Sequence, residues 1–156
     1  MALVRILVDG YSLLHSWPEL ARGNARHSAA AREALIRVLT RYQDASGTPI
    51  TIFFDGNGPK LGMPSAAFLP VEVLFSSAGQ TADQMIERAA YRFQAFGEVL
   101  AVTNDHAEQE TVLSLGGQTC SCRNFVQIVE GTLAELADDL KTRNRQERHA
   151  FKRRTS

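Results

Sequence analysis

The 156-residue chain reads as an α/β protein, a three-layer α/β/α sandwich around a mostly parallel sheet, and three observations predict this. Apolar runs at 4–8, 50–54, 71–75 and 99–103 are too short for helices and are bounded by turn residues, as strands buried on both faces should be. The segments between them carry apolar residues at helical spacing. Aspartates mark the ends of these runs: Asp9, Asp55 and Asp105 follow strands, and Asp83 falls in the first turn of a predicted helix. In a parallel sheet all four would lie at one edge, where open α/β folds place their ligand sites. With 44% hydrophobic residues and no low-complexity tract, one core suffices.

Each element follows from its residues. Residues 4–8 are apolar apart from Arg5 and stop at Asp9-Gly10; a turn and a short helix follow. Ser28 caps a longer helix with Leu35, Val38, Leu39 and Tyr42 inward, which Gly47 and Pro49 end. After strand Ile50–Phe54, residues 56–70 hold three of the five prolines and three glycines, which predicts an irregular surface loop, a flap beside the site. Residues 71–75 make the third strand. Thr81 and Gln84 form a capping box opening a helix with Met85, Ile86, Ala89, Ala90 and Phe93 inward. The fourth strand, 99–103, precedes a helix over 106–115 closed by Gly116-Gly117. Gln118–Cys120 is a short fifth strand before a helix capped by Ser121. A last helix begins near Thr132, and its apolar stripe of Leu133, Leu136, Ala137 and Leu140 runs out where Lys141, Arg145, Arg148 and Lys152 continue on one face.

The zero net charge hides an asymmetry. From Lys141 onward there are seven Lys and Arg against one acid, leaving ten basic and sixteen acidic residues before it, so the body stands at −6 and the tail at +6. This divides the chain into a folded domain over 1–140 and a basic helical extension over 141–156. An acidic body attracts no polyanion by itself, so nucleic-acid affinity would reside in the tail. Cys120 and Cys122 lack the further Cys or His of a zinc set and read as reduced structural thiols. The first apolar run is neither a signal-peptide core nor a membrane span, which predicts a cytoplasmic protein with no membrane partner.

Singly, each aspartate has an ordinary explanation: Asp-Gly makes a turn, and Asp in a first helical turn favours the helix dipole. Four carboxylates at one edge repel one another unless a cation or a proton relieves them, which points to a divalent-metal site acting on phosphate. Glu87, one helical turn beyond Asp83, is a supporting acid. His15, His27 and His106 are not needed as general acids or bases where an ion activates water.

Residues 6–14, Ile-Leu-Val-Asp-Gly-Tyr-Ser-Leu-Leu, with Trp17-Pro18-Glu19-Leu20, resemble the opening of the YacP-like NYN domain, a branch of the PIN-like ribonucleases. Phe53-Phe54-Asp55, residues 80–88 and residues 102–109 are similar to the family's later blocks in order and spacing. The resemblance runs from about Leu3 to about Arg148. It implies a PIN-like (NYN) fold with a basic terminal helix, and a Mg²⁺- or Mn²⁺-dependent endoribonuclease. Asp9, Asp83 and Asp105 would be metal ligands, Asp55 a fourth catalytic acid, and RNA the partner. Ser12 stands where the family has Asn, and Asn104 where it often has Ser or Thr; both would orient water or phosphate. Arg32, at a position where the family often shows Arg, would reach a substrate phosphate, and Lys141, Arg145, Arg148 and Lys152 would hold the strand. The alternative is an inactive RNA-binding or ribosome-associated module of the same fold. A phospho-receiver domain would need an acidic pair after the first strand and a lysine after the last, and neither is present. Asp9-Gly10-Tyr11-Ser12 holds one glycine, so the Gly-rich loop of nucleotide-binding proteins is missing as well.

Overall fold

A computed structural model of the protein describes residues 3–25, 27–56, 71–77 and 79–155, with side chains as far as Lys152. Five strands form one parallel sheet: β1 (Leu3–Asp9), β2 (Ile50–Phe54), β3 (Glu72–Phe75), β4 (Glu98–Val102) and β5 (Gln118–Cys120). Their spatial order is β3-β2-β1-β4-β5. The chain therefore steps outward from β1 in one direction and then returns to its other side, making the gap between β1 and β4 the switch point of the topology. Register is continuous across the centre, with Val8 opposite both Ile52 and Val102.

Alternation along β1 divides the core in two. Ile6 and Val8 face one layer, packing with Leu13, Leu14, Leu35, Leu39 and Phe125. Leu7 faces the other, with Phe53, Ile86, Ala101 and Val112. The first layer comprises α1 (Gly10–His15), α2 (Pro18–Ala21), α3 (Ala29–Ser46) and α6 (Cys122–Thr155); the second comprises α4 (Ala82–Phe93) and α5 (His106–Ser114). The helix signals act as expected. Ser28 Oγ accepts from Ala31 N, Gly47 closes α3 in the left-handed region at φ 74°, and Thr81 and Gln84 form a reciprocal capping box.

Strand and helix ends shift by a residue from the sequence reading, and the last helix differs more. The fourth strand ends at Val102, although Thr103 N still donates to Cys120 O at 3.2 Å. The two helices expected after Ser121 are one helix of 34 residues. Ser121 caps it, its Oγ accepting from Asn124 N, but Gly131 does not break it. An interior glycine costs about 1 kcal/mol, less than the burial of Phe125 and Val129 on the stripe that Leu133 continues. The 140/141 boundary thus falls inside a continuous helix. Among the described residues no helix is long and apolar enough to cross a membrane. The loop and flap expected over 56–70 lie, beyond Gly56, outside the described residues. Both cysteines are free, and burial pushes the Cys122 thiol up to about 12, as befits a packing residue.

Candidate active site

Asp9 ends the central strand and caps the helix that starts at the next residue. No loop intervenes, and Gly10 makes this possible: a Cβ there would lie 2.3 Å from Phe54 Cε1 and 2.9 Å from Ile52 Cγ2. Ser12 fixes the carboxylate, its Oγ donating to Oδ2 at 2.9 Å and its backbone N to Oδ1 at 3.4 Å. Asp9 is only 8% exposed. Burial raises its pKa from 3.8 to about 6, the Ser12 hydrogen bonds offset part of this, and the charges of Asp83 and Asp55 add to it.

Asp83 reaches the same place from the first turn of α4. Asp55, at the end of β2, holds that helix start in position: its Oδ1 accepts from Ala82 N at 2.6 Å. The third acid is Glu108, in the first turn of α5 and 2% exposed. Carboxylate oxygens of Asp9, Asp83 and Glu108 all lie within 4.8 Å of one another. Glu108 Oε2 accepts from Thr103 Oγ1 at 3.3 Å, whereas Oε1 is buried with no partner. Two ionised carboxylates cannot hydrogen-bond each other, so a hydrogen bond between Glu108 and Asp83 needs a proton on the pair. Burial first, then Asp83 and Asp9, accordingly drive the Glu108 pKa far above the carboxylate range.

These features fit a bound cation. Three hard oxygen donors converge at the switch-point edge, and one of them is a buried carboxylate oxygen that a proton or a cation would satisfy. Such a donor set suits Mg²⁺ or Mn²⁺.

The expected residues are distributed differently from the sequence reading. Asp105, expected as a ligand, is not in the converging group; it caps α5, its Oδ1 accepting from Ala107 N at 2.9 Å and Glu108 N at 3.2 Å. Asp105 is exposed at the start of α5, and Glu108, three residues on, is the acid that lies beside Asp9 and Asp83. Asn104 is also engaged structurally, its Oδ1 accepting from Cys122 N at 3.0 Å and its Nδ2 donating to Ser16 Oγ at 3.4 Å. Ser12 spends its hydroxyl proton on Asp9. Asp55 is exposed and borders the group, and Glu87 is half-buried on the next turn of α4. Arg32 Nη1 donates to Tyr11 Oη, placing its guanidinium beside the segment that follows Asp9. Lys141, Arg145, Arg148 and Lys152 are exposed on α6. Glu108 was missed because Asp-His-Ala-Glu reads as an ordinary acidic first turn. The available signal was its phase: it shares the inward face of α5 with Val112, a core-facing position where an unpaired acid is costly.

Comparison with known proteins identifies the family. The YacP-like NYN domain matches over residues 6–156. YacP of Bacillus subtilis, an uncharacterized protein, is 30% identical over 126 residues, covering 80% of this chain and 74% of YacP. The crystal structure of Rae1 (YacP) from Bacillus subtilis superposes with a TM-score of 0.73 at 26% identity, covering 94% of this chain and 84% of that one. Its W164L mutant gives a TM-score of 0.70 at 27% identity, covering 88% and 81%. The parallel sheet, the acidic edge and the match along nearly the whole chain lead to one assignment: the protein belongs to the YacP-like NYN domain family, within the PIN-like nucleases.

Proposed function

We propose that this protein is a Mg²⁺- or Mn²⁺-dependent endoribonuclease that acts in the cytoplasm on RNA phosphodiester bonds, leaving a 5′-phosphate on the downstream fragment. The observation that carries this reading is the convergence of Asp9, Asp83 and Glu108 within 4.8 Å at the switch-point edge. A divalent ion supplies an activated water and neutralises charge on the phosphodiester in such sites. The chain's own residues do the rest. Asp9, Asp83 and Glu108 hold the ion. Ser12 and Thr103 orient two of those carboxylates, and Asp55 fixes the start of α4, which carries the third. Asp105 keeps α5 in register so that Glu108 points inward. Glu87 and Asp55 add negative potential at the rim. Arg32 and the basic face of α6 supply the positive charge that the acidic body lacks.

The test is incubation of 5′- and 3′-labelled RNA with the purified protein in Mg²⁺, Mn²⁺ or EDTA, alongside Glu108→Gln. Internal cleavage that needs the ion and is lost in the variant supports the proposal. RNA binding without cleavage under every condition would instead identify an inactive RNA-binding module.

A further inference from the structure

Beside the acidic edge, on the α1–α3 side, aromatic rings gather around one cation. Tyr11, two residues beyond Asp9, tilts against Phe54 at 4.9 Å between centroids, and Phe54 stacks on Phe75 at 5.5 Å. His27 lies over Tyr11 at 4.2 Å, although it is exposed and buries little of itself there. Arg32 is held by this group: Nη1 donates to His27 O at 2.7 Å and to Tyr11 Oη at 3.3 Å, and the guanidinium carbon sits 5.8 Å from the Phe75 ring centre.

Two features call for a ligand. Both contacts of Arg32 use Nη1, so Nε and Nη2, the pair that grips a carboxylate or phosphate side-on, have no partner among the described residues. Both hydrogen-bond partners are neutral, so among the described residues no carboxylate is hydrogen-bonded to it. Next to it, the exposed His27 ring lies on Tyr11, which stands two residues beyond Asp9 in the chain and is itself backed by Phe54. Ring faces beside a fixed guanidinium match a nucleotide, with the base on the rings and the phosphate on the fork.

We propose that Tyr11 and His27 form a stacking shelf for one unpaired base of the RNA substrate, close to the cleaved bond, and that the Nε/Nη2 fork of Arg32 takes a phosphate of the same strand. This rests on the endoribonuclease reading and makes its substrate single-stranded at that position. His27 then contacts the base, Tyr11 supports it from beneath, and neither takes part in the chemistry.

The experiment compares the full-length protein with His27→Ala and Arg32→Lys, using a labelled mixed-sequence single-stranded RNA and a set of the same RNA with one abasic site moved through the cleavage region. Binding is measured with Ca²⁺ in place of Mg²⁺, cleavage with Mg²⁺. His27 is exposed, so its variant should keep the wild-type melting temperature. In the wild type an abasic site at one position should weaken binding by about 5- to 150-fold, the range for loss of one stacked base. In His27→Ala intact RNA should already be weakened, KM raised and kcat retained, and the same abasic site should cost little more. Arg32→Lys, which keeps the charge and loses the fork, should raise KM while leaving the abasic profile in place. Equal abasic losses in wild type and His27→Ala, with ion-dependent cleavage intact, would overturn the shelf alone. A wild-type protein that neither binds nor cleaves these RNAs would overturn the shelf and the nuclease reading together.

Discussion

Burial and like charge act in the same direction on Asp9 and Glu108: both hold a proton more tightly in the folded protein than in the unfolded chain. A raised folded-state pKa contributes stability that is complete below the unfolded value and is lost as pH rises through the folded one. For Asp9 that window runs from 3.8 up to about 6. In EDTA the protein should therefore gain stability on going from pH 7.5 to pH 5, by about 1–1.5 kcal/mol from Asp9 alone, with Glu108 adding in the same sense. Urea melts at the two pH values measure this, and added Mg²⁺ should stabilise more at pH 7.5, where it competes with fewer protons. Glu108→Gln should abolish cleavage, yet raise the urea midpoint in EDTA at pH 7.5, because the amide is neutral without the proton that Glu108 must take up to fold at that pH. A lowered midpoint there would mean that repulsion is not what the acidic group stores. Asp105 makes a different prediction because its hydrogen bonds are those of a cap. Asp105→Asn, which still accepts from Ala107 and Glu108, should keep most activity, whereas Asp105→Ala should cost about 1 kcal/mol in stability and lower activity through a frayed α5. If Asn is as inactive as Ala at unchanged stability, Asp105 touches the ion or the substrate.

At the scale of elements, the strand-to-helix corner at Gly10 is the tightest constraint. Gly10→Ala should destabilise by about 1–3 kcal/mol as Phe54 and Ile52 yield, and it should reduce cleavage because the same corner aims Asp9. Thermal melts and turnover of the one variant test both. The place of this corner was legible in the sequence, since the apolar run stops at Asp-Gly, but its tightness was not: a turn was expected before the helix, and the helix starts at Gly10 itself. The caps at Ser28 and Thr81 were legible too, because their side chains make local hydrogen bonds that depend only on residues three positions away. Two further things were not legible, for a common reason. Whether Gly131 ends a helix depends on burial of Phe125 and Val129 against the first helical layer, and whether Asp105 or Glu108 enters the site depends on how α5 rolls onto the sheet. Both are decided by tertiary packing, which overrides local preference. The acidic edge could be located from strand ends alone, but its third member came from the helix that follows one of them.

Across the whole molecule, charge is sorted along one axis. The acidic body stands at −6 and the segment from Lys141 at +6, and α6 joins them without a break. At 1.5 Å per residue its 34 residues span about 50 Å, and residues 134–152 are exposed throughout. The body supplies the acidic site, which repels RNA in the absence of a cation, so most of the long-range attraction must come from α6. Removing 141–156 should therefore weaken RNA binding and raise KM more than it lowers kcat. Cutting after Leu140 keeps Phe125, Val129 and Leu133, the part of the helix that packs on the core, so folding is kept apart from binding. The salt dependence is the sharper readout. For single strands log K falls with log salt by about 0.7 per phosphate contact, so losing three to five of the tail's cations from the interface should flatten the slope by roughly two to four. Arg32→Lys should leave that slope nearly unchanged, because it alters the shape of the contact and keeps its charge, which separates the tail from the shelf. A folded truncation with unaltered affinity and slope would reduce the basic face to a solvated helix surface, and would leave Arg32 and the bound ion as the main positive charges at the site.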